Sequence, residues 1–403
     1  MKRKILVISP YNPFAPILGA AEKGLYYRIK NLATLADVTL LSFAEPNGQG
    51  KKIAADHGVT AHLVSNPLRN AATVPSRLAR LRRLLTGRLE LFQNIHALTS
   101  GLASGLPVIL KDQRFDLIHI DDVIIAPISR HLPREPKKLL FFHNLMTLQH
   151  RNYCRAKREI QKELAARIEL FWVYLFEKRI LREFPNVVVL TDVEKKKAAF
   201  MSPATNVVQI PLEIDPEEYR PSSLPTDARR VTLSGTMSYE PNHEAALHFI
   251  RDVLPGIRSR IDDVKFYVVG KSPRDELLRL HDGHVVITGK VDDIRESLSR
   301  AGVVVAPILS GGGMRFKILE SFALSKAVVS TSLGAEGIDY TDGKDIMIAD
   351  TAQAFADSVC MLLENRGECE RLGRNARLLI EERYAVPQVW ARWRQVYSEL
   401  GIS

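Results

Sequence analysis

Apolar residues along this chain fall in short continuous runs, separated by longer stretches of amphipathic character. The runs at 4–9, 37–43, 61–65, 115–120, 139–143, 186–190 and 206–210 are rich in β-branched or aromatic residues. So are those at 230–235, 264–270, 284–289, 302–307, 327–331 and 345–349. A strand with one wet face alternates apolar and polar residues, whereas a strand covered on both faces does not. These runs therefore predict parallel strands covered on both faces by helices, an α/β fold. The two series are separated by DPEEYRPSSLPTDARR, whose proline, serine and charge mark a linker. The predicted organisation is a Rossmann-like domain over 1–212, a linker over 213–229, a second Rossmann-like domain over 230–384 and a last helix over 385–403. In that last segment Trp390, Trp393, Val396 and Tyr397 form an apolar face and Pro387 suits the first turn. Such sheets bind ligands beyond the carboxyl ends of their strands, which predicts a site in the cleft between the two domains.

Composition narrows the class. A chain of 403 residues exceeds what one core usually serves, and 46% apolar with 25% charged residues is ordinary for a globular protein. The N-terminal apolar run, Ile5 to Ile8, is too short for a secretory signal and reads as a buried first strand. Cys154, Cys360 and Cys369 have no metal or redox spacing. The expected location is the cytoplasm, peripheral at the inner face of the cell membrane. A net charge of +10 calls for an acidic partner. Part of it is local, because six arginines lie between Pro67 and Glu90, with leucines at helical spacing. This predicts a basic amphipathic helix over 75–86, either a solvated face or a contact for an anionic membrane surface. Nucleic acid is not expected, since no aromatics interleave the arginines and no nucleic-acid module is present. Helix one opens LGAAEKG rather than G-x-G-x-x-G, and neither a P-loop nor a G-x-S-x-G is present.

The chemistry concentrates in LSGGGMRFKILE, 309–320. Three adjacent glycines cost conformational entropy, which a sharp turn or a close ligand would justify. A helix start after Gly311, Gly312, Gly313 and Met314, with Arg315 and Lys317 in its first turn, makes an anion site suited to phosphate. Glu320, one turn beyond Lys317, is placed to accept hydrogen bonds from sugar hydroxyls. A structural turn with incidental charges is the alternative.

With these residues in view, the second half resembles the nucleotide-binding domain of retaining GT-B glycosyltransferases of the group 1, or family 4, class. The segments that carry the resemblance are 233–258, FYVVGKSP, 285–324 and AVVSTSLGAEGID, and their type is that of bacterial polysaccharide clusters. The first half fits more loosely, through 5–29, FDLIHIDD and LTDVEKKKAAF. The resemblance implies two Rossmann-like domains and sugar transfer from a nucleoside-diphosphate sugar to a glycan or lipid-linked glycan. It makes Glu320 the ribose anchor and places Gly19, Gly235 and Glu336 on the donor. It makes Asp121 and His143 catalytic, with Glu22 and His119 on the acceptor side; a buried, hydrogen-bonded structural role for His119 and a core-edge place for His143 are the alternatives. Two departures stand out. The family's first motif glutamate falls at Gly312, and Gly235, Thr236 and Met237 stand where many relatives carry an arginine and a lysine. Arg315 and Lys317 are the expected substitutes. No D-x-D sits at a strand end, so neither a metal nor another cofactor is expected. The competing readings are a nucleotide-sugar-binding scaffold of a polysaccharide assembly and a GT-B sugar-nucleotide epimerase.

Overall fold

Each of the thirteen apolar runs is a strand in a computed structural model of the chain, and every strand pairing among the described residues is parallel. The structure describes residues 2–15, 19–44, 50–68, 89–111, 113–156 and 160–402. The basic segment 75–86 lies outside them. The chain divides into two compact units: unit 1, Met1–Pro211 with Trp390–Ser403, and unit 2, Leu212–Val389.

Unit 1 holds β1 (Arg3–Ile8), β2 (Ala36–Phe43), β3 (Val59–Val64), β4 (Leu117–Asp121), β5 (Lys137–Phe141), β6 (Asn186–Val189) and β7 (Asn206–Gln209), in the order β3-β2-β1-β4-β5-β6-β7. Leu6, Ile8, Ile118, Ile120 and Leu140 are completely buried, as a sheet covered on both faces requires. Helix α1 (Ala20–Leu35) runs directly into β2. Beyond β5 come α2 (Met146–Ala156) and α3 (Ile160–Glu183), and α4 (Asp192–Met201) follows β6. A capping box starts α4: the Thr191 hydroxyl accepts from the Glu194 amide, and the Glu194 carboxylate accepts from the Thr191 amide. In the C-terminal helix (Val386–Glu399) Trp393 and Tyr397 are buried in unit 1, the apolar face the sequence predicts.

Unit 2 holds β8 (Asp227–Ser234), β9 (Lys265–Val269), β10 (Val285–Gly289), β11 (Ala301–Ala306), β12 (Val328–Ser330) and β13 (Met347–Ile348), ordered β10-β9-β8-β11-β12-β13. Helix α5 (Glu240–His248) follows β8, and α6 (Phe316–Ala323) follows β11. The chain turns one way from β1 and the other way to reach β4; the same reversal separates β8 from β11. Loops leaving adjacent strands in opposite directions open a crevice at their carboxyl ends. Each unit has one such point. Among the described residues no helix is long and apolar enough to cross a membrane.

Candidate functional site

Glycines directly follow two neighbouring strands of unit 2, β8 and β9. Gly235 and Gly270 have φ of +147° and +146°, a region closed to most side chains. A Cβ on Gly270 would lie 1.8 Å from the Gly235 carbonyl oxygen. One on Gly235 would lie 2.6 Å from the Asn242 amide nitrogen and 3.0 Å from Lys317 Nζ. The missing side chain at 235 therefore lets the backbone come up against an amine. We expect Gly270→Ala to destabilise unit 2 by about 3 kcal/mol or more, combining overpacking with a left-handed residue. Gly283→Ala, where a Cβ meets nothing within 4 Å, serves as the neutral control in the same melting experiment.

Lys317 lies near the start of α6, half-buried, and donates to Asn242 Oδ1 at 2.6 Å. Asn242 in turn donates to the Thr236 carbonyl at 3.0 Å. Burial, and then the adjacent Arg315 charge, push the Lys317 amine down to about 7, against the pull of Glu320. An amine so poorly compensated is stabilised by an arriving anion. Glu320 accepts from the Tyr219 hydroxyl at 2.7 Å, which fixes its carboxylate. Tyr219 comes from the predicted linker yet is fully buried.

The glycine turn is built as a reversal. Gly311 and Gly313 have φ of +94° and +79°. A Cβ on Gly311 would meet Pro241 at 3.1 Å and the Tyr239 hydroxyl at 3.4 Å. Arg315 corrects the sequence reading. It caps α6 rather than lying in its first turn, is 8% exposed, and donates to the Gly313 carbonyl at 2.8 Å and to that of Gly312. Carbonyls in a left-handed turn lack helix or sheet partners, and the guanidinium satisfies them. Arg315 thus braces the turn from within instead of reaching for phosphate, and Met314 is buried beside it. Glu244 on α5 accepts from the hydroxyl of Ser310. The sequence reading missed it because a glutamate one turn into an amphipathic helix looks solvated. Glu336 stands half-buried in the turn after β12, along the same edge of the sheet. His243 is 4% exposed and pairs with Glu276.

In unit 1 the ends of β1, β4 and β5 bring Ser9, Asp121 and His143 together. The Asp121 side chain is 0% exposed and accepts from Arg28, from Ser9 at 3.1 Å and from His143 Nε2 at 3.2 Å. Burial alone would raise its carboxyl; the charges of His143 and Arg28 outweigh that and hold it well below the usual carboxylate range. Asp121 is therefore no substrate-facing catalytic group but the anchor that orients His143. Burial lowers the His143 imidazole, but the Asp121 charge and hydrogen bond dominate and leave it above its ordinary value. His119 takes the buried, hydrogen-bonded structural role rather than the acceptor-side one. On a strand residues two apart share a face, so His119 and Asp121 both point under the C-terminal helix. There His119 Nδ1 lies 2.8 Å from the Tyr397 hydroxyl, and burial, then the Arg28 charge, lower it to about 3. It is a neutral core residue.

Two residues at this corner escaped the sequence reading. Asp122 has a φ of +145°, strained for a residue with a side chain, and strain of this kind gathers at functional sites. Its carboxylate accepts from the Ile124 amide and from the half-buried Tyr11 hydroxyl at 2.9 Å, and burial raises it. The Tyr11 ring stands edge-on to His143 at 5.2 Å. The loop after His143 is pinned by two buried glutamates. Glu177 accepts from the amides of Met146 and Thr147, and Glu194 from that of Leu145. Burial drives Glu177 up to about 7. Gly19 opens α1 and is exposed. The Glu22 carboxylate folds back to within 2.7 Å of where its Cβ would be. Among the described residues no hydrogen bond joins either to the His143 cluster, although the Glu22 charge reaches Tyr11.

Residues 228–365, which contain all of the unit 2 site except Tyr219, match the family model described as Glycosyl transferases group 1. The match lies within the second unit and covers most of it. A protein of the cps region of Klebsiella pneumoniae is 21% identical over 300 residues, 72% of this chain and 76% of its own length. The phosphatidyl-myo-inositol mannosyltransferase of Mycobacterium leprae is 26% identical over 171 residues, 40% of this chain and 45% of that enzyme. Among solved structures, sucrose-phosphate synthase from Thermosynechococcus elongatus superposes with a TM-score of 0.75 at 16% identity, covering 99% of both chains. Anabaena HepE in complex with UDP-glucose gives 0.65 at 16% identity, covering 98% of this chain and 99% of that one. The fold is GT-B. Within the matched region, Gly235, Lys317 and Glu320 form one connected corner at the crevice between β8 and β11.

Proposed function

We propose that this glycosyltransferase moves a sugar, with retention, from a nucleoside-diphosphate sugar to a glycan or lipid-linked glycan, at the inner face of the cell membrane, in cell-surface polysaccharide synthesis. The observation that carries the reading is the Lys317 amine, short of compensating charge and set against Gly235 at the crevice of the group 1 unit. A diphosphate brings the negative charge this corner lacks. The relatives support the substrate classes: HepE was solved with UDP-glucose, the mycobacterial enzyme is named for a lipid acceptor, and the Klebsiella protein comes from a cps region.

In this reading Lys317 and the turn amides take the diphosphate, and neutralise the charge that grows on it as the glycosidic bond breaks. That assigns the work to the chain itself rather than to a metal. Glu320, steadied by Tyr219, accepts from the ribose hydroxyls. Gly312 leaves the sugar without the carboxylate that the family pattern would place there. His143, oriented by Asp121, and the Tyr11–Asp122 pair serve the acceptor side. Retention is the expectation carried by the family resemblance.

A thermal-shift screen of nucleotide sugars identifies the donor, because a ligand of the folded state raises stability by mass action. The expected second result is release of nucleoside diphosphate only when donor and a lipid or glycan extract are both present, with an α-linked product from an α-linked donor. Binding without release under any extract would replace the proposal with a scaffold, and interconversion of the sugar without an acceptor would replace it with an epimerase.

A further inference from the structure

Helix α3 is apolar on two sides. Ala166, Val173 and Ile180 are buried in unit 1, while Leu164, Phe171 and Leu175 on the other side are 62%, 55% and 40% exposed. Seven and then four residues apart, these three form one line down the helix. Arg167, Lys178 and Arg182 fall on the same line, so the apolar stripe has cations within and below it. Helix α4 adds Phe200, 74% exposed. The two helices share this surface, because Lys178 and Lys197 lie 5.6 and 5.5 Å from the Tyr174 ring, and Lys197 is also 5.4 Å from that of Phe200.

We propose that this α3–α4 face docks unit 1 onto a membrane surface rich in anionic lipid. A solvated helix puts polar residues where Leu164, Phe171 and Leu175 stand, and scattered apolar exposure does not align down one helix. From Leu164 to Met201 the exposed and half-buried ionisable side chains comprise seven lysines and arginines against three carboxylates. That excess selects a negatively charged partner. Between acidic lipid and an acidic protein groove, the chemistry of the rim decides. Lysine stems lying over aromatic rings, with ammonium groups able to rise toward headgroups, suit the boundary between acyl chains and headgroups. Phe171, Leu175 and Phe200 enter the acyl layer, and the cations meet lipid phosphates.

This deepens the membrane-side part of the proposed function, and a binding assay without turnover keeps the two separable: transfer to a soluble acceptor would survive loss of docking. The full-length chain is sedimented with phosphatidylcholine vesicles, with and without phosphatidylglycerol. We expect binding only with the anionic lipid, weakened by salt, and at least ten-fold weaker in Phe171→Glu/Leu175→Glu/Phe200→Glu; Phe200→Glu alone, unchanged in melting temperature, gives part of that loss. Trp172, whose ring is 5.5 Å from that of Phe171, supplies a local readout. Brominated lipid should quench its emission, and Trp172→Phe should remove that quenching. The arginine-rich segment 69–88 contains no tryptophan, so its binding would not mimic the signal. Vesicle binding unchanged in the triple variant overturns the proposal, as does an absence of quenching. So does a solution dimer that the same substitutions dissociate while wild type ignores vesicles.

Discussion

Arg28→Met lowers the stability of unit 1 by about 3–5 kcal/mol, the range for removing one partner of a buried ion pair. Arg28 and Asp121 are 2% and 0% exposed, and the guanidinium is stacked between the Phe141 and Trp393 rings, 4.3 Å from each centroid. Without the arginine, the fully buried Asp121 carboxylate keeps only the hydrogen bonds of His143 and Ser9. Asp121→Asn leaves the mirror-image problem, a buried guanidinium facing a neutral amide. The double variant Arg28→Met/Asp121→Asn leaves neither charge and should cost less than the two single changes added together, which a mutant cycle measures. All three tryptophans, Trp172, Trp390 and Trp393, lie in unit 1, so urea titration followed by tryptophan emission reports on that unit alone. Single variants that unfold at the wild-type urea concentration would show the pair to be energetically idle. Because burial by itself raises Asp121 and its cations lower it, the stability it lends is complete above the ordinary aspartate pKa of about 3.9 and is lost as pH falls below it.

That ion pair also marks the limit of what the residues disclose. Continuous apolar runs can satisfy only a sheet covered on both faces, so the strands, the parallel pairing and the two series were legible from pattern alone. Gly235, Lys317 and Glu320 stood out as candidates because glycine and charge at a strand end have few structural uses, and the structure sets Lys317 against Gly235. The roles inside the site were harder to read, because they depend on where a long side chain turns. Arg315 and Lys317 stand two apart with the same charge, yet one folds back onto carbonyls and the other faces Asn242 and Gly235. Nothing local distinguishes them. Asp121 and Asp122 are chemically identical neighbours, and only the strand's two-residue period sends one into the core and leaves the other at a strained corner. Glu177, Glu194 and Glu244 read as helix-surface acids until the loops they hold are in place.

Lys317→Met should weaken binding of the donor found in the nucleotide-sugar screen by about 10- to 100-fold, the worth of a charge-assisted hydrogen bond, while raising the melting temperature of the ligand-free protein. The two effects point in opposite directions for one reason. In the empty site Lys317 is held down to about 7, so below that pH the fold carries a desolvated, poorly paired charge that methionine does not. Its unfavourable contribution is complete below about 7 and fades as pH rises toward the ordinary lysine value of about 10.4, so the ligand-free protein gains stability over that interval. Donor binding has the opposite slope. A bound diphosphate restores the ammonium's high pKa, so binding above pH 7 takes up a proton and affinity falls as pH rises. Between pH 6 and 8.5 the loss should be about 30-fold in wild type and absent in Lys317→Met. A nucleotide sugar's diphosphate does not titrate in this range, so the slope belongs to the protein. Calorimetry in buffers of different ionisation heat counts the proton directly. A flat wild-type profile, or a Lys317→Met protein that melts lower and binds donor as before, would make this lysine a structural tether of Asn242.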